Sequence, residues 1–225
     1  MVRCAWHTHV KIHHKEYRAM FFTKKDIGNF MYYQLIPFYI LYIFGCLLEY
    51  KRRTPLDTLV SLYVITFWSY FIHRILHVIP EFLNIHNIFH HYHDTAFNLG
   101  IELLFNISMF VLFYYIQIAV GVYPVSNIIL LYYSIVYVSG HIINYSIFSV
   151  RNHQMHHKTA EADPTTPSIP ICNYGPDVYD HFFGTNYDEC WENYMHIVPN
   201  ITMAFFVCYY IQEIRPITNS VNQIT

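Results

Sequence analysis

The chain has 225 residues, 54% of them apolar and 12% charged, with a net charge of −2. So few charges exclude an ordinary soluble surface, where roughly a quarter of residues are charged, and the slight negative balance excludes an electrostatic nucleic-acid footprint. The length suits one domain rather than two, and five dispersed cysteines (Cys4, Cys46, Cys172, Cys190, Cys208) without a C-x-x-C pair read as free thiols, not as a disulfide frame.

Residues 1–27 form a polar, basic N-terminal arm without the pattern of a cleavable signal peptide, and residues 28–225 read as one membrane-embedded domain. Segment 28–50 has no charge before Glu49 and reaches the roughly 20 residues that span a bilayer. A basic joint, Lys51-Arg52-Arg53-Thr54-Pro55, leads into segment 56–72, uncharged apart from Asp57, which runs straight into His73. Segment 98–123 carries a single acid, Glu102, and segment 124–148 carries no charge and one histidine, His141. Ile-, Val-, Tyr- and Phe-rich runs also suit buried strands, but strands usually stop near 5–6 residues, so length favours helices. The prediction is an all-α integral membrane protein with about four transmembrane helices in two hairpins. A further apolar stretch, 197–214, fits a span, an interfacial helix or a packing helix equally.

The hairpins order the histidines. Segments two and four both end on one side of the membrane, so His73-Arg-Ile-Leu-His77, His86-Asn-Ile-Phe-His90-His91 and His153-Gln-Met-His156-His157 fall into one polar helical layer. Ten basic residues lie on that side (Arg3, Lys11, Lys15, Arg18, Lys24, Lys25, Arg74, Arg151, Lys158, Arg215), against Lys51, Arg52 and Arg53 on the other. The positive-inside tendency then turns the layer to the cytosol, and the endoplasmic reticulum is the expected membrane.

Neutral imidazole suits iron, zinc and copper, and these clusters hold more imidazoles than one ion can use. Helical positions i, i+3 and i+4 share a face, so His153, His156 and His157 can converge on one volume, and His73 and His77 point together. One such pair is a common surface coincidence; three clusters in one layer are not. In the middle cluster His86 and His90 share a face, His91 is displaced by about 100°, and His93 returns to that face, so either His91 or His93 supplies the third ligand. His141 sits where a lipid-bound helix meets the layer, and an ionisable group inside a membrane segment is a functional candidate. Glu102 pairs with a histidine or lines the site.

The series H-x3-H, H-x(2,3)-HH, H-x2-HH between hydrophobic hairpins resembles the fatty acid hydroxylase / sterol desaturase superfamily. The stretch Asn173-Tyr-Gly-Pro-Asp-Val-Tyr-Asp-His-Phe-Phe-Gly-Thr185 is similar to that superfamily's motif after its last histidine box, so the resemblance covers about residues 56–185. It implies a non-haem centre of two iron ions using O2 as co-substrate to hydroxylate or desaturate an unactivated C–H bond of a membrane lipid: a sterol, an acyl chain or a sphingolipid. It also implies His73, His77, His86, His90, His91, His153, His156 and His157 as iron ligands, with His141 matching a histidine of the fourth helix. Where some members carry a second histidine four residues later, this chain has Tyr145, leaving that place to Asn144, to water or to nothing. Asp94, Asp177 and Asp180 are candidates to accept the other ring proton of a ligating histidine, and Asp180 equally suits the closing of a turn. Zinc is a possible substitute metal. No haem, flavin or nicotinamide motif is present, and the resemblance implies a separate cytochrome b5 with its NAD(P)H reductase as the electron donor. The competing readings are a metal-ion transporter, which would place ligands near mid-membrane, and a non-catalytic zinc-binding membrane protein.

Overall fold

The computed structural model describes residues 24–77, 96–145, 150, 153–156, 172–187 and 191–221. His86, His90, His91, His93, Asp94 and His157 lie outside the described residues. All the described regular structure is helical, with no strand among the described residues. The first run is α1 (Lys24–Phe30), a π-helical turn (Met31–Leu35) and α2 (Ile36–Leu48). Pro37 has no N–H for the carbonyl four residues back and its ring crowds that carbonyl, which accounts for the widened turn just before it.

Helix α3 (Pro55–Leu76) opens on a reciprocal cap. The Thr54 hydroxyl accepts the Asp57 N–H at 3.2 Å, and the Asp57 carboxylate accepts the Thr54 N–H at 3.1 Å. Helix α4 (Ala96–Val120) stops at Gly121, whose φ of +71° no β-carbon obstructs. Helix α5 (Asn127–Ser139) starts at Ser126, whose hydroxyl accepts the Ile129 N–H at 3.2 Å, and it passes into a second π-helical turn, Gly140–Asn144. A short helix α6 (Asp177–Phe183), a 3₁₀ turn (Tyr194–Ile197) and α7 (Val198–Val221) complete the described chain.

Among the described residues, five helical stretches are long and apolar enough to cross a membrane: Ile27–Leu48, Pro55–Leu76, Gly100–Val120, Asn127–Asn144 and Tyr194–Ile214. The stretch after residue 197 thus joins the four anticipated. Their outer faces stay apolar, with Leu104 68% and Phe206 62% exposed, a surface that fits lipid rather than water.

Lipid tails are as apolar as leucine, so these helices associate through close packing and interhelical hydrogen bonds rather than the hydrophobic effect. Helix α5 is the centre: it touches α2, α3, α4 and α7. A β-carbon on Gly45 of α2 would stand 3.2 Å from Thr58 of α3 and 3.3 Å from Ile129 of α5, so a larger residue would push the three helices apart. Trp68 Nε1–H donates to the Met109 carbonyl at 3.1 Å, tying α3 to α4, and the hydroxyls of Ser69 and Tyr133 lie 3.0 Å apart between α3 and α5.

Both hairpin turns meet at one end of the bundle. Arg53 donates to the carbonyls of Pro124 and Tyr123 at 3.2 and 3.1 Å, and the Ser126 hydroxyl donates to the Glu49 carboxylate. With both joints at that end, the far ends of α3 and α5, carrying His73, His77 and His141, come together at the other.

Helix α7 is held where α5 gives way to the π turn. Asn144 Nδ2 donates to Asn200 Oδ1 at 2.8 Å and to the His196 carbonyl at 2.9 Å, while Asn200 Nδ2 donates to the Ser139 hydroxyl at 2.9 Å. Replacing Asn200 with Ala removes two interhelical bonds and is expected to cost about 1–2 kcal/mol. The check is a lowered Tm of the detergent-solubilised protein; an unchanged Tm would mean that α7 is held by packing alone.

Candidate metal centre

Helix α3 delivers the first two histidines. His73 lies in its last turn and His77 is its C-cap residue, so their i, i+4 spacing places both rings on one face. A helical turn over 153–156 delivers His156, which is completely buried. The ring centroids of His73 and His77 are 4.7 Å from that of His156 in both cases, and 5.3 Å from each other. One ligand atom from each of the three falls within 4.8 Å of the others.

Two backbone carbonyls decide which nitrogen each ring offers. His73 Nδ1 lies 2.7 Å from the Tyr174 carbonyl oxygen, and His156 Nδ1 lies 2.7 Å from that of Cys172. A carbonyl only accepts, so each Nδ1 carries the proton, and in the neutral ring Nε2 keeps its lone pair. His156 Nε2 then stands 3.1 Å from His77 Nε2. Two ligands bonded at about 2.0–2.2 Å to one ion at roughly right angles to tetrahedral angles are separated by about 3.0–3.5 Å. The donor set therefore fits a transition-metal ion: borderline-soft nitrogens, with His73 and His156 buried and their tautomers fixed and His77 half-buried beside them.

The carbonyls are aimed by a loop whose residues are those of the Asn173–Thr185 motif. Asn173 adopts a left-handed φ of +58°, unusual for a residue with a side chain, and is held there by Asn173 N–H to the Thr185 carbonyl (2.9 Å) and Tyr187 N–H to its own Oδ1 (2.8 Å). Gly175 also needs positive φ, +58°. The Asp180 carboxylate closes the loop, accepting from the N–H groups of Tyr174 (2.9 Å) and Gly175 (2.6 Å) and from the Thr185 hydroxyl (2.7 Å). Burial pushes its carboxyl up to about 6 against these bonds, which pull it down. Asp180 thus closes the turn, and it reaches the imidazoles only through the loop. Asp177 is buried and accepts from the Glu192 N–H (2.8 Å) and Gln34 Nε2 (3.3 Å), fastening the first π turn to the far end of the chain. Burial also raises the phenols of Tyr174, to about 12, and of Tyr145 and Tyr179, so all three are neutral hydroxyls at physiological pH.

A second group of rings borders the first. The π turn at the end of α5 turns His141 inward, where it is buried. Such turns recur at functional sites. The His141 ring centroid is 6.2 Å from His73 and 5.1 Å from His153, and Tyr145 stacks on His153 at 4.0 Å. The sequence spacing put His153 and His156 on one volume; their rings are 6.4 Å apart, and His153 keeps company with His141 instead. Asn144 directs its amide N–H groups at α7, as described above. Glu102, expected to pair with a histidine or to line the site, has its Oε1 3.1 Å from His141 Nε2. Of the nine histidines expected as ligands, the described five form one continuous cluster. His181, stacked on Trp191 at 3.8 Å, and His196, on the Asn193 carbonyl at 2.7 Å, have structural partners.

A cavity of about 220 Å³ lies beside the rings. His73, His141 and His153 line it together with Phe38, Leu41 and Val136 of α2 and α5, so its walls combine imidazole and apolar side chains.

The family model for fatty acid hydroxylases matches residues 58–185, from the first turn of α3 to the end of the loop motif. The chain belongs to the fatty acid hydroxylase family. That places it in the sterol desaturase/fatty acid hydroxylase superfamily, as the histidine series implied. No curated protein and no solved structure matches the chain significantly. Membership of the fatty acid hydroxylase family implies an oxidoreductase acting on lipids at a metal-dependent site.

The loop makes a checkable demand. Asp180→Ala strips the acceptor from two N–H groups beside the Tyr174 carbonyl, and loss of such ring-orienting support typically costs 10–100-fold in metal affinity. Titration of the apo-protein with Co²⁺ is expected to show about that loss for Asp180→Ala and a smaller one for Asp180→Asn, which keeps one oxygen. Equal affinity in all three proteins would detach the loop from the metal site.

Proposed function

We propose that the protein is a di-iron, O2-dependent lipid oxygenase that hydroxylates or desaturates an unactivated C–H bond of a membrane lipid, such as a sterol, an acyl chain or a sphingolipid. The observation that carries this reading is the junction of the apolar cavity with the imidazole cluster. The same space is walled by Phe38, Leu41 and Val136 and by His73, His141 and His153. An apolar chain lying in it would bring its C–H bonds against the ring nitrogens.

His73, His77 and His156 would hold one ion, the first and last through nitrogens fixed by the carbonyls of Tyr174 and Cys172. His141 and His153 belong to the second position, and His86, His90, His91 and His157 are proposed to complete the set. When bound, the iron pair supplies the activation of dioxygen that an unactivated C–H bond requires. The chain itself contributes orientation and exclusion of water. His73 and His156 are buried, their proton-bearing nitrogens face carbonyls, and Tyr133, Tyr137 and Tyr145 close the walls. Hydroxylation and desaturation both draw two electrons from outside, and a separate cytochrome b5 with its reductase is the proposed donor. We place the protein in the endoplasmic reticulum with the histidine layer facing the cytosol, in keeping with the distribution of basic residues.

The test is lipid profiling of cells that express the protein, beside the iron content of the purified chain. Wild type is expected to produce an oxidised lipid in an oxygen- and donor-dependent way. His156→Ala is expected to abolish the product while the protein still inserts in the membrane. Persistence of the product in His156→Ala, or a wild type with neither iron nor a changed lipid, would contradict the reading.

A further inference from the structure

Glu102 is the one acid in the apolar stretch Gly100–Val120. A carboxylate near the end of a membrane helix ordinarily reaches for the headgroup layer and water. Glu102 instead turns inward: it is 9% exposed, on the face of α4 that also buries Asn106 four residues on. What it meets there is His141, with Oε1 3.1 Å from Nε2. His141 belongs to the π turn and lies between the rings of His73 and His153, 6.2 and 5.1 Å away by centroid.

The separation matches that of another polar contact in the cluster. His77 Nε2 and His156 Nε2 are also 3.1 Å apart, the spacing of two donors on one ion derived above. Where some members of the family carry a second histidine one turn beyond His141, the chain has Tyr145. The Tyr145 ring lies flat against His153 at 4.0 Å, which places it as a packing surface beside the rings. Charge points the same way. Neutral imidazoles leave a divalent ion uncompensated in a water-poor site, and a carboxylate offsets one of its charges.

We infer that Glu102 is a metal ligand, supplying beside His141 the donor that Tyr145 does not, so that the second metal position has a mixed imidazole–carboxylate set. The inference rests on the metal-dependent reading above and extends it to a helix, α4, that contributes no histidine.

The probe is Co²⁺ added to the metal-free, full-length protein in detergent, with bound cobalt counted and its ligand-field spectrum recorded. Gel filtration and helical circular dichroism report folding. Wild type is expected to bind about two ions per chain and Glu102→Gln, which keeps size but loses the anionic donor, about one. Glu102→His is expected to restore the second ion with an altered spectrum, and it carries the test alone should the glutamine variant fail to fold. Two ions in Glu102→Gln with the wild-type spectrum would overturn the inference. Two ions bound more weakly with that same spectrum would also overturn it, reducing Glu102 to a hydrogen-bond partner that positions His141. For the histidine variant, two ions with an unaltered spectrum would do the same. A wild type that binds no cobalt would instead overturn the metal-dependent reading itself, and this inference with it.

Discussion

The site depends on two short bonds from imidazole Nδ1–H groups to peptide carbonyls, His73 to Tyr174 and His156 to Cys172, each 2.7 Å. A histidine offers a metal only the nitrogen that lacks a proton. Where a carboxylate orients the ring, charge is added to the site; where a carbonyl does so, the tautomer is fixed and the site's charge is left alone. The carbonyls must then be aimed by backbone geometry. That requirement explains why the segment from Asn173 to Thr185 is so tightly cross-braced, with left-handed residues at Asn173, Gly175 and Gly184 and one buried carboxylate, Asp180, closing it.

The helices answer to the same constraint from the other side. Lipid gives no hydrophobic drive to bring α3 and α5 together, so their approach relies on Gly45, on the Ser69–Tyr133 contact and on the Arg53 bonds that pin both turns at the opposite end. Helix α7 then braces the π turn through Asn144 and Asn200. The result joins a rigid nitrogen cluster to an apolar cavity, and that juxtaposition gives the lipid-oxidising reading its physical basis.

Much of this was legible in the sequence, for stated reasons. Segment length marked the helices, and the i, i+4 spacing of His73 and His77 placed both rings on the inner face at the end of α3. The histidine series and the Asn173–Thr185 stretch marked the family. Three features were not legible. The π turns at Met31–Leu35 and Gly140–Asn144 shift the backbone ladder by one residue, which no side-chain periodicity records, although Pro37 is a local hint for the first. The orienting groups on His73 and His156 are peptide carbonyls, which every residue possesses, whereas the acids Asp177 and Asp180 drew attention by type. His153 and His156 share a helical face, yet packing against Tyr145 and Cys172 assigns them to neighbouring places. Glu102 stood out as the single acid of its segment, but its partner depends on how α4 meets α5.

The most direct measurement is a map of the iron-loaded protein at a resolution that places the ions, by cryo-electron microscopy or anomalous scattering. The account requires a peak bonded to Nε2 of His73, His77 and His156 at about 2.0–2.2 Å, as for a typical imidazole ligand, with both Nδ1–H bonds to Tyr174 and Cys172 intact. An ion bonded through Nδ1 of His73 or His156, or a cluster that stays empty while iron sits elsewhere, would contradict it.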